Sequence, residues 1–125
     1  MYDTFEQMTV WQKAHKLVLQ IWEITATFPS EDLYTLTSQV RRSALSVSAN
    51  IAEGFGRHHS LDKIKFYLNA RGSLCETMSH LLAARDIGHF KVESYGKLKE
   101  ELIDKIMIEL NTIMKTLRPK SQSQP

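Results

Sequence analysis

The side chains that could bind a metal ion are few and poorly spaced. Glu76 and His80 stand four residues apart and would share one face of a helix, and His58, His59 and His89 could in principle join a site. A di-iron or di-manganese helix bundle needs Glu-x-x-His on two helices, and this spacing does not occur in the sequence. Solvated loop histidines are the simpler interpretation, so we expect no metal site and no cofactor.

The other catalytic candidates are equally weak. Cys75 is the single cysteine, and because it falls in an apolar row we expect a small core residue. Gly54 and Gly56 follow a predicted helix, whereas a dinucleotide-binding loop follows a strand. The chain contains no Walker A pattern. We therefore expect that the protein is not an enzyme.

A basic cluster marks the connection between the second and third predicted helices. It consists of Arg57, His58, His59, Lys63 and Lys65. If the cluster were repeated around the rim of a ring, its summed charge could hold the phosphate backbone of RNA or DNA. Only Phe66 and Tyr67 are aromatic here, so sequence-specific base recognition is not expected. The alternative interpretation is a solvated charged turn.

Composition indicates one ordinary globular domain. The 125 residues are 42% hydrophobic and 24% charged, with a net charge of +2, which permits nucleic acid contact without requiring it. A lone cysteine suits a reducing cytoplasm. The sequence shows no signal peptide and no apolar run of the roughly 20 residues that a membrane span needs, so we expect a cytoplasmic protein without membrane contact.

Apolar residues recur at spacings of about three and four residues in four segments. This pattern predicts an all-α fold, an antiparallel up-down-up-down four-helix bundle over residues 1–118, followed by a disordered tail at 119–125. The predicted helices run from about Thr9 to Phe28, Leu36 to Phe55, Ser60 to a stop at Gly88, and Val92 or Ser94 to Leu117. The predicted core row of the third helix is Leu61, Ile64, Leu68, Cys75, Met78 and Leu82.

The second predicted helix has an unusual outer side. Its core face is predicted to be Val40, Ala44, Val47 and Ile51. The ten residues 43–52 carry no charge, even on the far side, where Leu45, Ala49 and Ala52 lie. Small residues allow another backbone to approach closely, so we predict that these three form part of a subunit interface. The alternative is that serine and alanine merely tolerate solvent.

An arginine interrupts the predicted core row of the third helix at position 71. A buried arginine costs several kcal/mol unless it is paired. We hypothesise that Arg71 pairs with Glu53 or Glu76; the alternative is that its head group reaches solvent along the bundle surface. A polar layer around the pair would include Asn50, Gly54 and Gly72.

Two segments, QVRRSALSVSANIAEGFGR and FYLNARGSLCET, resemble the 23S rRNA intervening-sequence protein family. Its members look like Q-x-R-R-A-x-x-S-x-P-A-N-I-A-E-G, followed by G-S-x-x-E on the next helix. The resemblance covers about residues 8 to 115, and Ser48 stands where the family commonly has proline. The matching positions are Gln39, Arg41, Arg42, Ser46, Ala49, Asn50, Ile51, Ala52, Glu53, Gly54, Gly72, Ser73 and Glu76.

The resemblance implies a four-helix bundle in a ring-like homo-oligomer, typically a homopentamer. The chain is also distantly similar to the accessory proteins of diversity-generating retroelements, which are pentameric barrels that bind a reverse transcriptase and nucleic acid. The family is named for where some members are encoded, and its molecular role is not established. We expect a non-enzymatic homo-oligomer that binds RNA or DNA through the basic rim. The competing expectation is a scaffold that docks an unidentified protein partner without binding nucleic acid.

Overall fold

The computed structural model describes residues 2–119, and its regular elements are helical throughout that range. Four helices form the fold, as predicted. The first three are α1 (Thr9–Thr25), α2 (Ser38–Phe55) and α3 (Ser60–Ile87). The fourth has two segments, α4 (Val92–Leu98) and α5 (Asp104–Leu117), which a π turn at Lys99–Ile103 joins with helical dihedral angles on both sides. Shorter helical turns lie at Phe5–Gln7, Ser30–Asp32 and Leu33–Thr37.

The core lies between the inner faces of these helices. The predicted core face of α2, namely Val40, Ala44, Val47 and Ile51, is buried. Apolar positions spaced by three and four residues fall on one side of a helix, and α1 and α5 follow the same rule. Their fully buried residues include Ala14, Leu17, Ile21, Ile106 and Leu110.

The core row of α3 differs from the predicted row. Leu61 and Leu68 are 55% and 39% exposed, and Cys75 is exposed rather than a core residue. Met78 and Leu82 are half-buried, so of the predicted row only Ile64 is fully inside. The row that packs inward is Ile64, Tyr67, Ala70, Leu74, Thr77, Leu81 and Ala84. The prediction was wrong because α3 carries apolar residues on two sides, and the row of large residues that was predicted lies mostly on the outer side.

The helix ends follow local chemistry. Gly88 ends α3 with φ of 101°, a left-handed conformation that suits glycine, as the sequence predicted. Ser48 lies within α2, which runs unbroken from Ser38 to Phe55 although the family commonly has proline there. Of the predicted tail, Pro119 has no regular structure, and residues 120–125 lie outside the described residues.

Candidate assembly surface, basic rim and end cavity

Hydroxyl side chains join α2 to α3, and an amide hydrogen bond within α2 supports one of them. Ser46 Oγ and Ser73 Oγ lie 2.8 Å apart, and Asn50 Nδ2 donates to the Ser46 carbonyl oxygen at 2.8 Å. Deeper in the core, Thr77 Oγ1 donates to Ser43 Oγ at 2.9 Å. Buried polar groups must be paired to avoid a desolvation penalty. Ser43 and Ser46 of α2 thus bind α3 through its hydroxyl groups.

Gly54 allows Tyr67 to pack directly against the backbone of α2. A Cβ atom at position 54 would stand 2.6 Å from Tyr67 Cε1, which is closer than carbon atoms approach. Both residues are buried. Gly72 differs, because a Cβ there would meet nothing within 4 Å. The two glycines therefore do not share a polar layer, and only Gly54 is required by packing within the chain.

Arg71 does not form the predicted carboxylate pair. Its Nη1 atom donates to Asn111 Oδ1 of α5 at 2.7 Å, and no ion pair of the described residues includes it. Glu53 instead pairs with Arg57 at 2.9 Å. The hypothesis was wrong because the inward row of α3 is displaced from the predicted one, which leaves Arg71 half-buried at the boundary between α3 and α5.

Three further motif residues, Gln39, Arg42 and Glu76, lie on the surface. Glu76 Oε2 is 3.3 Å from His80 Nε2, one helical turn along α3. Gln39 and Arg42 are exposed on α2. None of them joins the contact formed by Ser46, Asn50 and Ser73, so the polar layer is smaller than predicted.

The basic rim is defined as Arg57, His58, His59, Lys63 and Lys65. Its members differ in the contacts that they make within the chain. Lys63 Nζ donates to the carbonyl oxygens of Gly54 at 3.2 Å and Phe55 at 2.8 Å. These carbonyls end α2 without helical partners, and a cation there also complements the helix dipole. Arg57 pairs with Glu53 and lies 4.6 Å from the Phe66 ring centroid. Exposed side chains remain at His58, His59 and Lys65.

The outer face of α2, defined as Leu45, Ala49 and Ala52, lies on the surface of the bundle. Leu45 is 47% exposed, Ala49 is exposed and Ala52 is half-buried. An open depression here is lined by Ala49, Ala52, Glu53, Gly56 and Arg57. Because its floor is built from alanine and glycine, a neighbouring backbone could approach α2 closely.

A second uncharged strip runs along α3, and we call it the outer row. It comprises Leu61, Leu68, Gly72, Cys75 and Ser79, all of which are exposed. Leu61, Leu68 and Cys75 are seven residues apart; Gly72 and Ser79 follow Leu68 and Cys75 by four residues, and Lys65 stands at the same spacing after Leu61. This is the spacing of a seam that packs against another helix. α3 is therefore apolar on two sides, only one of which is covered by its own chain.

An apolar cavity of about 540 Å³ opens at the end of the bundle where the chain begins and α5 finishes. We call it the end cavity. Burial raises the pKa of the Tyr67 phenol, which borders it. The lining residues are Tyr2, Met8, Thr9, Val10, Lys63, Tyr67, Glu109, Thr112, Ile113, Thr116 and Leu117. Sequence analysis missed this site because residues from three distant segments build it.

The described residues contain neither a cluster of metal ligands nor a membrane-spanning helix. Within residues 2–119, no three His, Cys, Asp or Glu side chains lie close enough together to hold a metal ion. No helix in that range combines the length and apolar character needed to cross a membrane.

Comparison with known proteins places these features in a family. The family model described as 23S rRNA-intervening sequence protein matches residues 6–112. A solved structure of a protein with unknown function from the S23 ribosomal protein family of Bacteroides thetaiotaomicron VPI-5482 has the same fold, with a TM-score of 0.78 and 22% identity over 86% of this chain and 99% of that one. No curated protein matches. Since the family model spans most of the sequence, the chain belongs to the 23S rRNA-intervening sequence protein family.

Proposed function

We propose that the protein is a non-enzymatic cytoplasmic subunit that assembles with copies of itself into a closed ring. The ring is a homopentamer, which has the number of subunits that the family resemblance implies. The observation that carries the proposal is the uncharged outer face of α2, which the chain's own helices leave exposed. A helix that faces water normally carries charged or long polar residues on its outer side. The absence of such residues from positions 43–52 of α2 favours a surface that another subunit covers.

The subunit is proposed to be an antiparallel up-down-up-down bundle. Contacts between α2 and α3 support this arrangement, because residues early in α2 meet residues late in α3. Ser43 contacts Thr77, whereas Gly54, eleven residues further along α2, lies against Tyr67. Short connections between the helices favour the same topology.

Ring closure requires two different surfaces on each subunit, because a head-to-tail contact joins unlike patches. The outer face of α2 offers a shallow depression of small residues. The outer row of α3 offers protruding side chains, including Leu61 and Leu68, at coiled-coil spacing. We propose that the outer row of one subunit packs into the outer face of α2 on the next.

Light scattering on the purified protein tests the assembly. Ala49→Glu would place a charge in the depression, and removing that charge from water is costly. We expect the solution mass to fall to that of a monomer while circular dichroism retains the wild-type helicity. Gln20→Glu, an exposed change on α1, is the matched control and should leave the mass unchanged. An Ala49→Glu protein with the wild-type mass would contradict the α2 interface.

Nucleic acid binding is a second candidate function, and the exposure of His58, His59 and Lys65 favours it. None of these three forms an ion pair with an acidic residue of the described part. Arg57 contributes less charge to a ligand than the sequence implied, since Glu53 already pairs with it, whereas Lys63 keeps its charge but is held by two carbonyl oxygens at the end of α2. Assembly would multiply the remaining charge around one rim.

Fluorescence anisotropy with labelled RNA and DNA across a salt series tests this second function. The protein is first freed of bound nucleic acid by nuclease and high salt. Binding that weakens linearly with salt in a log–log plot, and that falls with Lys65→Glu but not with Lys97→Glu on α4, would support the rim. No binding by the intact oligomer at low salt would leave the alternative function, a scaffold that docks another protein.

A further inference from the structure

The end cavity has the composition of a small-molecule site. Its volume of about 540 Å³ lies within the range of about 300–1,000 Å³ that is typical of ligand pockets. The walls are mostly apolar, and Met8, Val10, Ile113 and Leu117 supply aliphatic surface from both ends of the chain. Such pockets usually contain a few polar groups that orient the ligand.

Tyr67 supplies one such polar group. Its side chain is only 2% exposed, and it borders the cavity. Its hydroxyl group forms no hydrogen bond with any residue in the 2–119 range, whereas the buried hydroxyl groups of Ser43 and Thr77, elsewhere between α2 and α3, are both paired. A buried hydroxyl without a partner costs free energy. A ligand acceptor in the cavity would remove that cost.

Lys63 supplies a positive charge at the same wall. Two carbonyl oxygens at the end of α2 accept hydrogen bonds from its ammonium group, which leaves one of its three N–H groups for a ligand. No carboxylate of the described residues pairs with it. The one acidic residue in the lining, Glu109, is already neutralised by Lys13. The charge balance of the cavity therefore favours a single negative charge.

We propose that the end cavity binds a monocarboxylate with an aliphatic body, of the medium-chain fatty acid class. The carboxylate accepts a hydrogen bond from the Tyr67 hydroxyl and lies beside Lys63. The aliphatic chain packs against Val10, Ile113 and Leu117. The site is separate from the outer face of α2 and shares only Lys63 with the basic rim, so it goes beyond the proposed assembly function.

Decanoate is the probe, titrated calorimetrically into the full-length protein below the concentration at which it forms micelles. Decanol, which has the same chain without the charge, is titrated in parallel. We expect decanoate to bind at least tenfold more tightly than decanol, since hydrogen bonds to charged groups contribute about 1.5–3 kcal/mol. NMR shifts of the Val10 and Ile113 methyl groups on addition of decanoate locate the site.

Tyr67→Phe removes the hydroxyl while keeping the ring against Gly54. We expect decanoate affinity to fall by about tenfold or more. Tyr95→Phe is the matched control, because Tyr95 is also a buried tyrosine but does not line the cavity, and it should leave the affinity unchanged. Equal binding of decanol and decanoate, no binding of either, methyl shifts elsewhere, or an unchanged affinity in Tyr67→Phe would each overturn the proposal.

Discussion

α2 and α5 have similar inner faces and very different outer ones. Each buries a row of aliphatic residues spaced by three and four, such as Val47 and Ile51 in α2 and Ile106 and Leu110 in α5. Outside, α5 carries charges at intervals along its length, whereas α2 has none between residues 43 and 52. The inner rows explain why both segments fold. Nothing within a single chain explains the uncharged exterior of α2, and this difference is the basis of the proposed assembly.

The largest expected effect comes from placing a charge in the outer row of α3, which is exposed like the outer face of α2. Leu68→Glu, in the outer row of α3, should abolish the proposed oligomer because a carboxylate would be buried between subunits. Ile108→Glu changes an aliphatic residue of α5 that is 64% exposed, and it should leave the oligomer intact. Light scattering measures both masses.

The single thiol gives an independent check on the same comparison. Cys75 is exposed in the chain and lies in the outer row. A thiol reagent should therefore react slowly with the assembled protein and rapidly with Leu68→Glu. If the wild-type thiol reacts as fast as that of the variant, the outer row is not covered in the oligomer.

Replacing the buried Gly54 and the exposed Gly72 with alanine should change the free energy of unfolding in opposite directions. Gly54→Ala places a methyl group against Tyr67 and should lower the free energy of unfolding by about 1–3 kcal/mol through overpacking. Gly72→Ala meets no atom within 4 Å and, as a helix-interior glycine, should raise subunit stability by about 0.5–1 kcal/mol. Urea denaturation of each variant measures the change. If Gly54→Ala proves as stable as the wild type, the close Tyr67 contact is not a constraint.

The inner face of α2 was predictable, whereas that of α3 was not. In α2 the large apolar residues have one phase only, because Ser46, Ala49 and Asn50 cannot be mistaken for core positions. In α3, Leu61 and Leu68 recur at a heptad spacing that is as regular as that of the true inner row, which includes Tyr67 and Leu74. Periodicity identifies an apolar row but not the partner that covers it. The outward row of α3 therefore fits a core prediction as well as the inward row does, and it implies a core position for Arg71.

The candidate sites depended on tertiary contacts to different degrees. The outer face of α2 could be predicted, since an uncharged stretch is visible in the sequence itself. The role of Lys63 at the end of α2 was not predicted. A lysine in the first turn of α3, shortly after the helix-ending Gly54 and Gly56, is a signal that could have been used. The end cavity had no local signal, because Met8, Tyr67 and Leu117 meet only after folding.

A medium effect is expected where α2 and α3 meet through hydroxyl groups. Thr77→Val removes the donor to Ser43 Oγ in the core and should lower the free energy of unfolding by about 1 kcal/mol. Thr112→Val changes an exposed residue of α5 whose hydroxyl donates to the Ile108 carbonyl oxygen. This variant should change the free energy of unfolding by less than about 0.5 kcal/mol. Equal losses in the two variants would show that burial does not strengthen the contact.

The smallest expected effect is a change in the free energy of unfolding that appears only at alkaline pH. It arises because Tyr67 is buried and not on the surface. Burial raises the pKa of Tyr67, so above the ordinary tyrosine pKa of about 10 the unfolded chain loses its phenol proton before the folded chain does. The unfolded state then binds fewer protons, and the free energy of unfolding falls as the pH rises. Urea denaturation of wild type and Tyr67→Phe at increasing pH should show their difference shifting in favour of the variant above about pH 10. A difference that stays constant through this range would mean that solvent reaches the Tyr67 hydroxyl in the folded protein, because only a desolvated phenol resists ionisation there.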